Sequence, residues 1–187
     1  LAGLVVLGGL FPDYGLQYWV RPVIEQIAGP QQWAVPVLPT LNLAWSPAAL
    51  VAIVGAVVTF VVGRRMPHHA GLMATGVMAL TLAAVLMDAG RYDLLSWWFA
   101  TLIAGVGVLN LCYAIGYMDH AHSQHRFFFF FVFMIGGLLG VTASKDLFNF
   151  FAFWEIMSSW TLYFVTIHDE SKPALREGFK YFIFNFV

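Results

Sequence analysis

Glu155 is the residue that most invites a chemical reading. It is the lone ionisable carboxylate inside an apolar stretch, residues 146–167, that has Asp146 at one end and His168, Asp169 and Glu170 just past the other. As a single helix the stretch is long enough to cross a bilayer, and Glu155 lies about 14 Å of helix rise from Asp146 and about 18 Å from Ile167. A carboxylate at that depth costs at least about 2.5 kcal/mol on insertion scales, so a chain keeps one where it faces protein or water and serves a purpose. At a 3.6-residue period Ser159, Tyr163 and Thr166 follow on the same side, at i+4, i+8 and i+11, while Phe150, Phe153, Ile156 and Trp160 populate the other sides. Such a carboxyl holds a proton while neutral and releases it when hydration or a neighbouring cation stabilises the charge, which is a working element of a proton translocator. The competing reading is a neutral carboxyl hydrogen-bonded to an adjacent helix as packing glue.

Two other groups bear on chemistry. Lys180 sits at the start of a further apolar run, where it either snorkels to the interface or pairs with an acid on a neighbouring helix. The six histidines are His68, His69, His120, His122, His125 and His168. His-Ala-His-Ser-Gln-His at 120–125 suggests metal ligation, but two- and three-residue spacings do not put ligands on one helical face, and His68-His69 lies beside a proline in a short turn. Solvated loop histidines, or groups titrating at the mouth of a proton path, are the alternatives. No phosphate loop, Ser/His/Asp arrangement or paired-cysteine metal knot is present, and neither a cofactor nor a metal is expected.

The elements that must position Glu155 are membrane helices. Of 187 residues, 60% are hydrophobic and only 10% charged, against about 25% charged in a soluble domain. The net charge of -1 gives no polyanion-binding footprint, so nucleic acid is not a partner; the lipid bilayer is. Cys112, the one cysteine, falls inside an apolar span and has no internal disulfide partner. Residues 1–46 read as the end of a preceding helix, Leu1–Phe11, followed by a proline-punctuated linker in which 14–28 is either an interfacial helix or a plain loop. Ser46-Pro47 then opens span one as N-cap and first helical residue. Spans are expected at about 47–63, 71–87, 94–118, 127–143 and 146–167, with a sixth beginning near Gly178. Within the fourth, Gly136-x-x-x-Gly140 permits close helix contact. Residues 47–187 thus form helices one to five and the start of a sixth in an all-α, polytopic transmembrane bundle. Both ends look cut, since Leu1 is not a start residue and Val187 falls within an apolar run.

Basic residues set the expected orientation. Arg64, Arg65, Arg126, Lys172, Arg176 and Lys180 fall on one side, and Arg21, Arg91 and Lys145 on the other. That bias puts loops 64–70, 119–126 and 168–177 in the cytoplasm of a protein of the inner cell membrane.

Several of these stretches resemble a family. Tyr113-Ala-Ile-Gly-Tyr-Met118, then Arg126-Phe-Phe, then the run from Asp146 through Trp154-Glu155 to Ser159 are similar to the antiporter-like subunits of respiratory complex I, of group 4 membrane-bound hydrogenases and of Mrp-type cation/proton antiporters. Asp93-Leu-Leu-Ser96 and Glu177-Gly-Phe-Lys-Tyr-Phe182 fit as well, so the likeness runs over about residues 93–187. It implies the N-terminal part of an antiporter-like fold and a non-redox subunit that translocates protons, or Na+ against protons, among other membrane subunits. It also implies that Glu155 is the family's essential carboxylate, that its partner lysine lies past Val187, and that Lys180 matches a basic residue often seen entering the sixth helix rather than that partner; Ser159 and Tyr163 are candidate site residues from the polar stripe they share with Glu155. Lys145 departs from the small or polar residue usual before Leu-Phe-Asn. The alternative function is a structural membrane subunit that binds partner helices and conducts no ion.

Overall fold

The computed structural model describes residues 46–119 and 123–186, so the readings made for residues 1–45 lie outside the described part. The described chain is helical throughout. Helix α1 is Pro47–Arg65, α2 Ala70–Met87, α3 Leu94–Tyr117 and α4 Gln124–Ala143. Next come α5, Leu147–Glu155, a π-helical turn over Ile156–Thr161, α6, Leu162–Thr166, and α7, Lys172–Phe186. Single 3-10 turns at Pro67–His69 and Ala89–Arg91 make the α1–α2 and α2–α3 connections.

Side-chain caps start these helices where the sequence offers them. Ser46 accepts a hydrogen bond from the Ala49 N–H at 3.1 Å, with Pro47 in the first turn. Asp93 does the same for α3, accepting from the Ser96 N–H at 3.2 Å. Hydrogen bonds from Ser96 hold the Asp93 carboxyl below the usual carboxylate range. Their stabilisation is therefore present above the unfolded-state value and is lost as pH falls through the folded one. The α3–α4 turn is closed by the buried Gln124 amide, which donates to the Met118 carbonyl at 2.8 Å and the Asp119 carbonyl at 3.0 Å.

Helices α1 to α4 are each long and apolar enough to cross a membrane, and α4 is the most enclosed of them. It packs against α1, α2 and α3 on one side and against α5, the π turn and α6 on the other. Small residues make this possible. The seam of α1, α2 and α3 is largely alanine, with Ala48, Ala49, Ala52, Ala56, Ala70, Ala74, Ala100 and Ala104 buried, and Met78, Leu111, Phe128 and Leu139 fill the gaps between them. Apolar side chains gain little from leaving lipid for protein, so close backbone approach and dispersion hold such a bundle together. The Gly136/Gly140 pair serves this role with two different neighbours. A Cβ on Gly136 would lie 2.8 Å from Ile53 Cγ1 of α1, whereas one on Gly140 would enter the ring of Phe153 on α5.

Two expected boundaries move. The last helix begins at Lys172 rather than near Gly178, so only the first residues of the expected loop 168–177 are a turn. Ser171 accepts from the Ala174 N–H at 3.3 Å, and Pro173 suits a first helical turn, so a charged, amphipathic turn extends the helix beyond its apolar part. In the same way Gln124–Arg126, expected in the loop 119–126, already belong to α4.

Candidate functional site

The segment carrying Glu155 is fastened at both ends. At its start Asp146 accepts from the Asn149 N–H at 2.8 Å and from the Asn149 side-chain amide at 2.6 Å. At its end Glu170 accepts from Arg126 at 2.6 Å and from the Ser123 hydroxyl at 3.0 Å, tying the α6–α7 turn to the head of α4. His168 packs there between the rings of Tyr117 and Phe127, at 6.0 and 5.6 Å, with Nδ1 3.0 Å from the Val165 carbonyl. Glu170 holds a left-handed backbone, φ 56°. That conformation costs a non-glycine residue about 1–2 kcal/mol. The half-exposed ion pair returns about 0–1 kcal/mol. Glu170→Gly is therefore expected to leave stability within about 1 kcal/mol of wild type in thermal melts in detergent, and Glu170→Ala to fall below it.

Between those anchors the helix is not uniform. Helix α5 ends at Glu155 and the π turn follows at once. Single π turns inside α-helices concentrate at functional sites, and each displaces one residue from the regular ladder. Two hydroxyls support this one. Thr161 shares its hydroxyl proton between the Ile156 and Met157 carbonyls, both at 2.6 Å, and Ser158 donates to the Trp154 carbonyl at 2.9 Å. Both side chains are buried. Against α4, Gly137 leaves room for the turn itself, since a Cβ there would lie 3.0 Å from the Met157 nitrogen. Phe130 stacks on Phe164 just beyond, with centroids 4.3 Å apart.

The four site residues named from the sequence are not all drawn together. Glu155 is partly buried and immediately precedes the π turn. The Ser159 side chain lies outside the described residues. Tyr163 meets Phe182 of α7 at 5.6 Å, and a Cβ on Gly178 would lie 3.4 Å from Tyr163 and 3.6 Å from the Thr166 hydroxyl, so Tyr163 and Thr166 share a face directed at α7. Lys180 is exposed and pairs with Glu177 on its own helix at 2.7 and 3.0 Å. The regular polar stripe from Glu155 through Ser159 to Tyr163 is modified, because the π turn rotates the residues beyond it by about 100° from a straight 3.6-residue helix. Thr161 and Ser158 were not singled out from the sequence. Their signal was available as hydroxyls within a turn or two of Glu155. Among the described residues no group of three or more His, Cys, Asp and Glu could hold a metal ion, and His120 and His122 fall outside those residues.

An all-α bundle of membrane-spanning helices with an acid set in an apolar segment defines a polytopic membrane protein. Residues 89–128, which cover α3 and the head of α4 but stop short of Glu155, match the family model described as NADH-Ubiquinone oxidoreductase (complex I), chain 5 N-terminus. The chain is similar in sequence to antiporter-like membrane subunits of complex I and of cation/proton antiporters. It is 31% identical to the Na(+)/H(+) antiporter subunit A1 of Staphylococcus haemolyticus, over 44% of this chain and 10% of that protein. It is 25% identical to the chloroplastic NAD(P)H-quinone oxidoreductase subunit 5 of Zygnema circumcarinatum, over 67% of this chain and 21% of that protein. It is 31% identical to a Na(+)/H(+) antiporter subunit of Alkalihalophilus pseudofirmus, over 50% of this chain and 19% of that protein. The chain thus spans only about a tenth to a fifth of the length of these relatives. No solved structure matches it.

Proposed function

We propose that this chain is part of a proton-translocating, or cation/proton-translocating, membrane subunit of a respiratory NADH/quinone-type, hydrogenase-type or Mrp-type complex, with Glu155 as the proton carrier. The observation that carries this reading is the position of Glu155. It is the one carboxylate within the apolar helical run 147–166, set directly ahead of a π turn whose backbone is braced by buried hydroxyls. The names of the relatives support ion exchange as the class of activity, with H+ and Na+ as the ions those names print. In this reading the subunit does no redox chemistry and needs no cofactor. It lies in the inner cell membrane among other membrane subunits, with the α1–α2 and α3–α4 connections and the turn after α6 on the cytoplasmic side, as the basic residues Arg64, Arg65, Arg126, Lys172, Arg176 and Lys180 favour. Tyr163 contributes through its contact with α7, and Lys180, midway along that helix and paired with Glu177 on the same helix, suits the membrane interface.

The step itself is a protonation. Glu155 takes H+ from water or a neighbouring donor as it becomes neutral, and it gives H+ up when a cation or water approaches. Replacing Glu155 by Gln in the complete protein tests this. Loss of proton transport with assembly intact supports the carrier role. Native transport with Gln, together with impaired assembly with Leu, assigns Glu155 to helix packing instead.

A further inference from the structure

We infer that Thr161 is a positioning residue for Glu155: its hydroxyl holds the π turn that sets the direction in which the carboxylate points. The inference deepens the proton-carrier reading and, for its functional consequence, rests on it. Three observations support it.

First, Thr161 bonds differently from the threonines of α1 and α2, and differently from Thr142 and Thr166, which each reach one carbonyl three residues back. Thr59, Thr75 and Thr81 each donate to the carbonyl four residues back, at 2.8, 2.9 and 2.8 Å. This is the ordinary back-bond of a threonine in an α-helix. Thr161 reaches the carbonyls four and five residues back at once, at 2.6 Å each. Those are the acceptors of the α-type and the π-type ladder for residue 161, so one hydroxyl serves both where the ladder changes step. In lipid a carbonyl without a partner is costly, and serine and threonine hydroxyls are among the groups that satisfy it.

Second, the turn lies close against α4 at Gly137, where backbone of Met157 and the Ile156 Cγ2 methyl, 3.2 Å from where a Cβ would be, both approach. Gly137 faces the Met157 nitrogen and Cα, at 3.0 and 3.2 Å from where a Cβ would be. The wide turn is therefore seated tightly against α4, where Gly137 gives it room.

Third, Glu155 is the residue immediately before the turn. If the π turn tightened to α, the part of the segment that carries Glu155 would rotate by about 100° against α6 and α7. The α6 end is held by the Phe130–Phe164 stack and by the packing of Ile167 and Tyr163 around Gly178. The rotation would thus be shared with α5, against its Phe153–Gly140 contact with α4, and would turn the carboxylate away from its present surroundings.

The experiment uses the full-length protein in its assembled complex, in native membrane vesicles. Thr161→Val keeps the shape and removes the hydroxyl, and Thr161→Ser keeps the hydroxyl. A nitroxide label on Glu155→Cys reads direction independently of transport. The expected result is that Thr161→Val changes the oxygen accessibility of the label by about twofold, as for a side chain turned through a large fraction of a helical turn, while Thr161→Ser does not. With Glu155 intact, Thr161→Val is expected to lower proton transport by about tenfold or more, and Thr161→Ser to restore it. Unchanged accessibility in Thr161→Val overturns the positioning role. Equal losses in Val and Ser overturn it as well, because the hydroxyl would then not be the cause. If Glu155→Gln transports normally while the accessibility change is still seen, the positioning role survives and the proton-carrier reading fails.

Discussion

Glu155→Gln, in the complete protein with its partner subunits, is expected to abolish proton transport without loss of assembly. Gln nearly matches Glu in shape and keeps both donor and acceptor capacity, so it can satisfy any hydrogen bond that a neutral carboxyl makes. What it lacks is a titrating proton. Removing a positioned proton-transfer group typically costs about 10²-fold or more, and a carrier with no substitute nearby should lose more than that. Helix α4, packed against this segment, has His125 and Arg126 in its first turn as its ionisable side chains and no Asp or Glu, so it offers no second carboxylate to take over. The check is the initial rate of acidification in energised vesicles, normalised to the amount of intact complex on a native gel.

Gly140→Ala is expected to destabilise the bundle by about 1–3 kcal/mol, the usual cost of overpacking. The added methyl would enter the ring of Phe153, which is 3% exposed and has no free space to turn into. Phe153→Leu makes room at the same spot. The double variant Gly140→Ala/Phe153→Leu should therefore be more stable than the sum of the single effects requires, with a coupling of about 0.5–3 kcal/mol. Thermal melts of the four proteins in detergent close the cycle. Strict additivity would show that α4 and α5 do not meet at this point. Because the contact lies two residues before Glu155, the same substitution should also disturb transport, through displacement of α5.

How much of this was legible in the sequence depends on which forces leave a periodic trace. Long apolar runs ended by Arg64-Arg65, by Asp88 and by Asp119 mark spans because lipid excludes charge, and α1 to α3 fall where those runs do. The Ser46-Pro47 cap is a local rule and holds as read. The start of α7 was missed because Lys172, Arg176 and Glu177 look like loop to a hydropathy pattern, yet Ser171 and Pro173 favour a helix that continues past the apolar part. The π turn was missed for a different reason. Nothing in the spacing of apolar residues announces one extra residue in a turn, because the cause is a hydroxyl in competition for backbone carbonyls and a glycine on another helix. Arg126–Glu170 joins residues far apart in the chain and could not be paired by inspection, whereas Lys180–Glu177 lies within one helical turn and could have been.

The site was legible only in part. Glu155 stood out because charge is rare in such a run. Its surroundings did not, because burial and rotation depend on how α4 and α5 meet. Tyr163 and Thr166 share a face, and it is the face toward α7.

The most direct measurement is infrared difference spectroscopy of the complete complex, switched between resting and energised states, with Glu155→Gln as the control. The expected result is a carboxylic-acid C=O band that appears or vanishes with turnover in the native protein, shifts in D2O and is missing from Glu155→Gln. An identical carboxyl band in the Gln variant, or no such band in the native protein while it transports protons, would contradict a proton held on Glu155.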